Sequence, residues 1–222
     1  MSTSLPNLEA EKKFKEYRHY LVIEAVRLAS FLALFRRLHE RRIDRFEEMN
    51  IAPAFFQVVT DALLSAIILW VDKLLEERGQ RGIFNFLTFI ENNRNILAIE
   101  QLKRRNNYPD DHWMLDRKPI THETVNKDRE CIQSLNCLQR FRTLRDKFYA
   151  HFDIEYFFDR EPMAQEAPSW GDLGKVIEVI SDVINRYSAA YDGQLFELKP
   201  DNINDLDFLL NRLHECKKSK NS

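Results

Sequence analysis

The feature that most constrains this chain is the stretch from about Leu8 to Arg45, which contains neither glycine nor proline. Its apolar residues Phe14, Tyr17, Leu21, Leu28, Phe31, Leu32, Phe35 and Leu38 recur mostly at steps of three, four or seven, with Lys, Arg and Glu between them. That is helix periodicity. A helix of this length draws most of its stability from the face it buries, so the rest of the chain must supply helices or sheets for it to lie along.

The remaining segments read as helices. Pro53 suits the first turn of a second long helix, whose stripe Phe56, Val59, Leu63, Ile67, Trp70 and Leu74 runs to a stop at Arg78-Gly79. After Gly82 the run Ile83, Phe84, Phe86, Leu87, Phe89, Ile90 gives a short helix. The polar, basic stretch Glu91 to Asn107 and the loop Tyr108 to Pro119 read as an irregular excursion, with Trp113 anchoring the loop on the bundle. A further helix begins near Thr121 or Asn126 and carries Leu135, Leu138, Phe141, Leu144, Phe148 and Phe152 to about Tyr156. Pro162, Pro168 and Gly171 mark a loop, followed by an amphipathic helix on Leu173, Val176, Ile177, Ile180, Ile184 and Tyr187. Asn204 caps a short last helix ending near His214. The expectation is an all-α bundle with two long and three to four shorter helices.

Composition agrees: Phe occurs 16 times and Gly only 5, the balance of a well-buried helical protein. At 222 residues a single domain spanning 1–222 is expected, with flexible ends at 1–7 and 217–222. The formal net charge of −2 provides no global field for nucleic acid, so any RNA contact must come from a local patch. Met1 to Lys13 lacks the apolar core of a signal peptide, and charges are expected to interrupt every apolar run before membrane-spanning length, which points to a cytoplasmic protein without a membrane partner. Cys131, Cys137 and Cys216 are odd in number and lack Cys-x-x-Cys spacing, so neither a disulfide framework nor a zinc site is expected.

The chemistry-bearing residues cluster in Arg145-Asp146-Lys147-Phe148-Tyr149-Ala150-His151. Arginine presents a planar, permanently charged fork suited to phosphate, and histidine exchanges a proton near neutral pH. Arg140, Arg142, Arg145 and Lys147 place four cations on one short segment, and Tyr149 and Tyr156 offer stacking rings. On a straight helix, Arg145 and His151 stand about 120° apart around the axis and on the order of 9 Å apart along it. One phosphate is poorly gripped by both from one chain, which points to a homodimer with facing motif helices. The same residues also suit an amphipathic surface helix with a packed core histidine.

An arginine, a polar residue after it and a histidine four to six positions beyond the arginine is the pattern of the HEPN superfamily, which Arg145, Asp146 and His151 resemble. Leu69-Trp70-Val71-Asp72-Lys73, Gly82-Ile83-Phe84-Asn85-Phe86-Leu87, Leu144-Arg145-Asp146-Lys147 and Ala150-His151-Phe152-Asp153 resemble its AbiU-type abortive-infection branch. The resemblance implies a metal-independent endoribonuclease of a defence or toxin–antitoxin system, with RNA as substrate, an antitoxin protein as a further partner and no cofactor. In that reading His151 is general acid or base, Arg145 clamps the phosphate, and Asp146 orients one of them. Arg140, Arg142, Lys147 and Tyr149 would contact RNA. The superfamily also contains non-catalytic modules for dimerisation or for nucleotide or RNA binding, which is the alternative. Asp153 stands where one branch carries a tyrosine modified by a partner nucleotidyltransferase.

Two other clusters weigh less. His112 and His122, with Asp110, Asp111, Asp116 and Glu123 nearby, match no compact ligand spacing, so no metal is expected. Arg36, Arg37, Arg41, Arg42 and Arg45 alternate with Glu40, Asp44, Glu47 and Glu48, which reads as a salt-bridged helix end.

Overall fold

The computed structural model describes residues 8–77, 79, 81–149, 167–200 and 203–220, and no strand occurs among them. The elements are α1 (Leu8–Asp44), α2 (Phe46–Met49), α3 (Pro53–Leu75), α4 (Ile83–Asn92), α5 (Ile99–Asn106), α6 (His122–Gln133), α7 (Leu138–Leu144), α8 (Trp170–Asp192) and α9 (Asp205–Lys220). Short 3-10 turns occupy Arg94–Leu97 and Trp113–Asp116, and a π-helical turn, Arg145–Tyr149, continues α7.

The all-α bundle forms as the periodicity requires. In α1, Glu9 and Glu11 in the first turn and Arg41 and Arg42 in the last match the helix dipole, while Phe14, Leu21, Ala25 and Leu28 are buried along one face. Pro53 opens α3 at a position where its missing N–H costs nothing. α3 lies along α1, and α8, as long as α3 at 23 residues, also packs against α1. The short α4 buries Ile83, Phe84, Phe86, Leu87, Phe89 and Ile90 and sits centrally. A side chain at Gly82 would place Cβ 2.8 Å from the Leu74 carbonyl oxygen, so only glycine lets the chain enter α4 this close to the end of α3. Gly193 ends α8 with φ 79, the left-handed cap.

The core is rich in rings. Phe14 stacks on Tyr191 at 4.3 Å between centroids, and Phe86 meets both Phe14 and Tyr187. Tyr187 donates its hydroxyl to Asp128 Oδ2 at 2.6 Å. Burial pushes both groups up, and the carboxylate facing the phenol raises the Tyr187 value further. A second, smaller core joins Leu38, Phe56 and Leu63 to Leu206 and Leu210 of α9.

Ion pairs bind α9 to α1. The arginine cluster at the end of α1 is salt-bridged, as its interleaved carboxylates suggest: Arg36 pairs with Glu40, and Arg41 with Asp44. Asp207 of α9 takes Arg41 Nε at 2.7 Å and Arg37 Nε at 2.9 Å. Hydrogen bonds from Arg41, then Arg37, hold the Asp207 carboxyl below the usual aspartate range. Such a group adds stability above its unfolded pKa, about 4, and loses it as pH falls through the lower, folded value. Asp207→Asn is therefore expected to lower Tm at pH 7 by only roughly 3 °C, because the pairs are partly exposed. The gap to wild type should close on acidification below that range, as read by calorimetry.

Several expectations are corrected. α3 has an 18-residue window of mean hydropathy 1.9, long and apolar enough to cross a membrane by length and composition. Asp61 is the one charge between Pro53 and Val71, so charges do not break this run. The stretch 91–107 is not irregular: α5 forms on a single buried residue, Leu102, and its Arg105 donates to the Tyr191 carbonyl and to Glu11. Arg117 donates to the Ala190 carbonyl, so two arginines serve the carbonyls that end α8. Trp113 is 72% exposed and meets the neighbouring His112 ring rather than anchoring the loop on the bundle, whereas Tyr108 stacks on His112 at 3.8 Å. α9 extends past His214 through Lys220, tied to α2 by His214–Glu48 and Lys217–Glu47 pairs.

Candidate functional site

The helix that carries the motif is not continuous. Thr121 caps α6 through a reciprocal pair of contacts with Thr124, but α6 ends at Gln133 and α7 starts at Leu138. Ser134 Oγ donates to the Cys131 carbonyl, the local competition that serine offers to helix bonding, and the turn lets Leu135, Cys137 and Leu138 all reach the core. α7 then buries Leu138, Phe141 and Leu144.

At Arg145 the backbone widens into the π-helical turn Arg145–Tyr149. Turns of this kind are rare and frequently lie at functional sites. The straight-helix geometry expected from Arg145 onward is therefore already replaced by a wider turn within Arg145–Tyr149. His151 itself lies outside the described residues, as do the side chains of Phe148 and Tyr149.

Arg145 is fixed from two sides. Its Nη1 lies 2.5 Å from Asp72 Oδ2, reaching across to the last turn of α3, and its Nε donates to Asp146 Oδ1 at 2.7 Å. The Arg145 side chain is 25% exposed and that of Asp72 only 9%. Hydrogen bonds to Asp146, then to Asp72, stabilise the cation and raise its pKa further. A guanidinium carries five N–H donors, so these two contacts do not exhaust it. Asp72 Oδ1 is buried and has no hydrogen-bond partner among the described residues.

The other motif-helix cations meet carboxylates from different elements. Arg142 Nη2 stands 3.5 Å from Glu77, and Arg140 Nη1 stands 3.9 Å from Asp172 at the start of α8. These pairs are long and solvent-exposed, of the kind worth little, so both arginines can turn to another anion at small cost. Lys147 is partly buried on the π-helical turn.

Of the residues expected at the site, Arg145 and Asp146 come together in direct contact, and Arg140, Arg142 and Lys147 share their helix. The residue missed is Asp72, although it stands within the stretch Leu69 to Lys73. Its signal was a lone acidic residue in the last turn of an apolar helix, where a carboxylate opposes the helix dipole and needs another reason to be present. We expect Asp72→Asn to leave the fold intact and to loosen the Arg145 side chain, which Asp146 then holds alone.

The histidines considered for a metal have other roles. His112 accepts from the Met114 N–H at 3.2 Å, and His122 Nδ1 lies 2.6 Å from Glu91. Among the described residues no group of three or more His, Cys, Asp or Glu could hold a metal ion.

No curated protein and no solved structure matches this chain. The AbiU2 model of the HEPN superfamily does match, over residues 11–215, which takes in α3, the motif helix and the first two-thirds of α9. An arginine set on a π-helical turn, in a helical bundle matched to that model almost end to end, places the chain in the AbiU2 family of HEPN proteins.

Proposed function

We propose that this protein is a metal-independent endoribonuclease acting at a site shared between two copies of the chain. The observation that carries the reading is the fixed guanidinium of Arg145, held by Asp72 and Asp146 with donors to spare. A phosphate is a planar-fork target, and a fixed cation can stabilise charge that develops on it in the transition state.

The chemistry follows from RNA's own nucleophile. The ribose 2′-hydroxyl attacks the adjacent phosphorus, His151 takes its proton, and the P–O5′ bond breaks. A second His151, from the partner copy, returns a proton to the leaving 5′-oxygen. The products are a 2′,3′-cyclic phosphate and a 5′-hydroxyl. Arg145 neutralises the non-bridging oxygens, Asp146 orients it, and Arg140, Arg142, Lys147 and Tyr149 bind the flanking strand.

The second copy has a surface to dock on. Phe55, Val58 and Leu69 of α3 are 56%, 66% and 38% exposed and fall along one side of the helix. That apolar side ends one turn before Asp72, so a two-fold contact in which the two copies of α3 run parallel brings the two motif helices near each other. Family membership supports a defence or toxin–antitoxin setting in the cytoplasm, with an antitoxin as the restraining partner.

The rival is a non-catalytic dimerisation or RNA-binding module, favoured by the carboxylates that face Arg140, Arg142 and Arg145. Incubating purified protein with a mixed RNA in EDTA separates the two: the enzyme cleaves it, and the module leaves it whole.

A further inference from the structure

We propose that the groove between α1 and the C-terminal end of α3 holds one nucleotide of the RNA strand, beside the phosphate clamped at Arg145. This rests on the ribonuclease reading above. The groove encloses about 450 Å³, a size that suits a small ligand or a single nucleotide.

Its position ties it to the candidate site. Asp72 and Lys73 are neighbours in the last turn of α3, about 100° apart around the axis. Asp72 meets Arg145, and Lys73 lines the groove. A strand whose phosphate rests on Arg145 therefore has the groove one step around the same helix end.

Its chemistry matches a nucleotide. The floor is apolar, from Leu21 and Leu74, both buried. The α1 wall presents Lys13, Glu16, Tyr17 and Tyr20 on one helical face. Tyr17 is packed against Phe86 and Phe89, whereas Tyr20 is 64% exposed and offers its ring to a base. Stacking on an exposed ring is the sequence-tolerant way to hold single-stranded RNA.

Charge decides where the phosphate goes. The groove carries Lys13, Lys73 and Arg81 against Glu16 and Glu24. Glu24 is already committed, accepting from the Trp70 indole at 2.7 Å and from Lys73 at 3.1 Å. Exposed Arg81, at the entrance to α4, makes no ion pair among the described residues, and exposed Lys13 reaches only over the Phe89 ring. These two cations remain for the phosphate, with Glu16 facing the donors of a base or ribose.

The test is binding of a labelled 2′-O-methyl RNA hexamer, which lacks the free 2′-hydroxyl needed for cleavage, followed by fluorescence anisotropy. Tyr20→Ala and Arg81→Ala should each weaken binding about tenfold, and Tyr20→Phe should restore it, since the ring and not the hydroxyl does the stacking. Both residues are exposed, so the variants keep the fold. Equal affinity in wild type and both variants would overturn the groove while leaving the ribonuclease reading in place, and so would a wild type that does not bind at all. If the variants lose binding but wild type leaves ordinary RNA uncut, the groove stands as a nucleotide site and the ribonuclease reading falls.

Discussion

Arg145→Ala and His151→Ala are each expected to lower RNA cleavage about a hundredfold or more, the scale on which losing an electrostatic stabiliser or an acid–base group acts. Arg145→Lys should not rescue, because an ammonium cannot span Asp72 and Asp146 while presenting further donors in a plane. Arg145→Ala should also lower Tm, because it leaves the Asp72 carboxylate, only 9% exposed, without its partner, so rates are compared at a temperature where each variant is folded. Arg142→Ala should act differently: its pairing with Glu77 is long and exposed, so its loss should weaken RNA binding mildly and in a salt-dependent way while leaving the chemical step intact. Cleavage rates at saturating and at subsaturating RNA, the latter at two salt concentrations, with circular dichroism of each variant, check all four.

A comparable loss is expected at a distance from the phosphate. Val58→Glu combined with Leu69→Glu puts four carboxylates into a symmetric α3 contact, where each would be desolvated without a partner. The dimer constant should weaken a hundredfold or more, about 3 kcal/mol. Because the proposed site needs a histidine from each chain, cleavage at low micromolar protein should fall with dimerisation. Both residues face solvent in the single chain, so the monomer should stay folded. Sedimentation and cleavage measured over the same concentration range check this, and an active monomer would remove the composite site.

How legible the molecule was depends on where the information lay. α1, α3 and α4 could be read because each carries its own apolar period and its own stop: Asp44 ends a breaker-free run, Pro53 opens α3, and Gly82 is forced by the Leu74 carbonyl. α5 was hidden because it buries one residue, Leu102, and is held by Arg105 reaching across to α8. The last turns of α9 were hidden for the same reason, having ion pairs to α2 in place of a stripe. The break between α6 and α7 looks like continuous periodicity because Leu135 and Leu138 are buried either way.

At the site, Arg145 and Asp146 were visible as neighbours in the sequence, whereas Asp72 showed only as an acidic residue out of place at a helix end, and its partner emerges only when α3 and α7 pack together. The carboxylates facing Arg140 and Arg142 come from α8 and from the segment after α3, so the motif's apparent excess of positive charge is local to the sequence and is offset in space. The π-helical turn has no compositional marker at all in Arg145 to Tyr149.

The most direct test of the central claim is the chemistry of the cut ends. Purified wild-type protein incubated with a mixed RNA in EDTA should yield fragments ending in 2′,3′-cyclic phosphate, with 5′-hydroxyls on the matching pieces, because the RNA's own 2′-oxygen is the nucleophile. Intact RNA, or fragments with 3′-hydroxyl and 5′-phosphate ends, would contradict it.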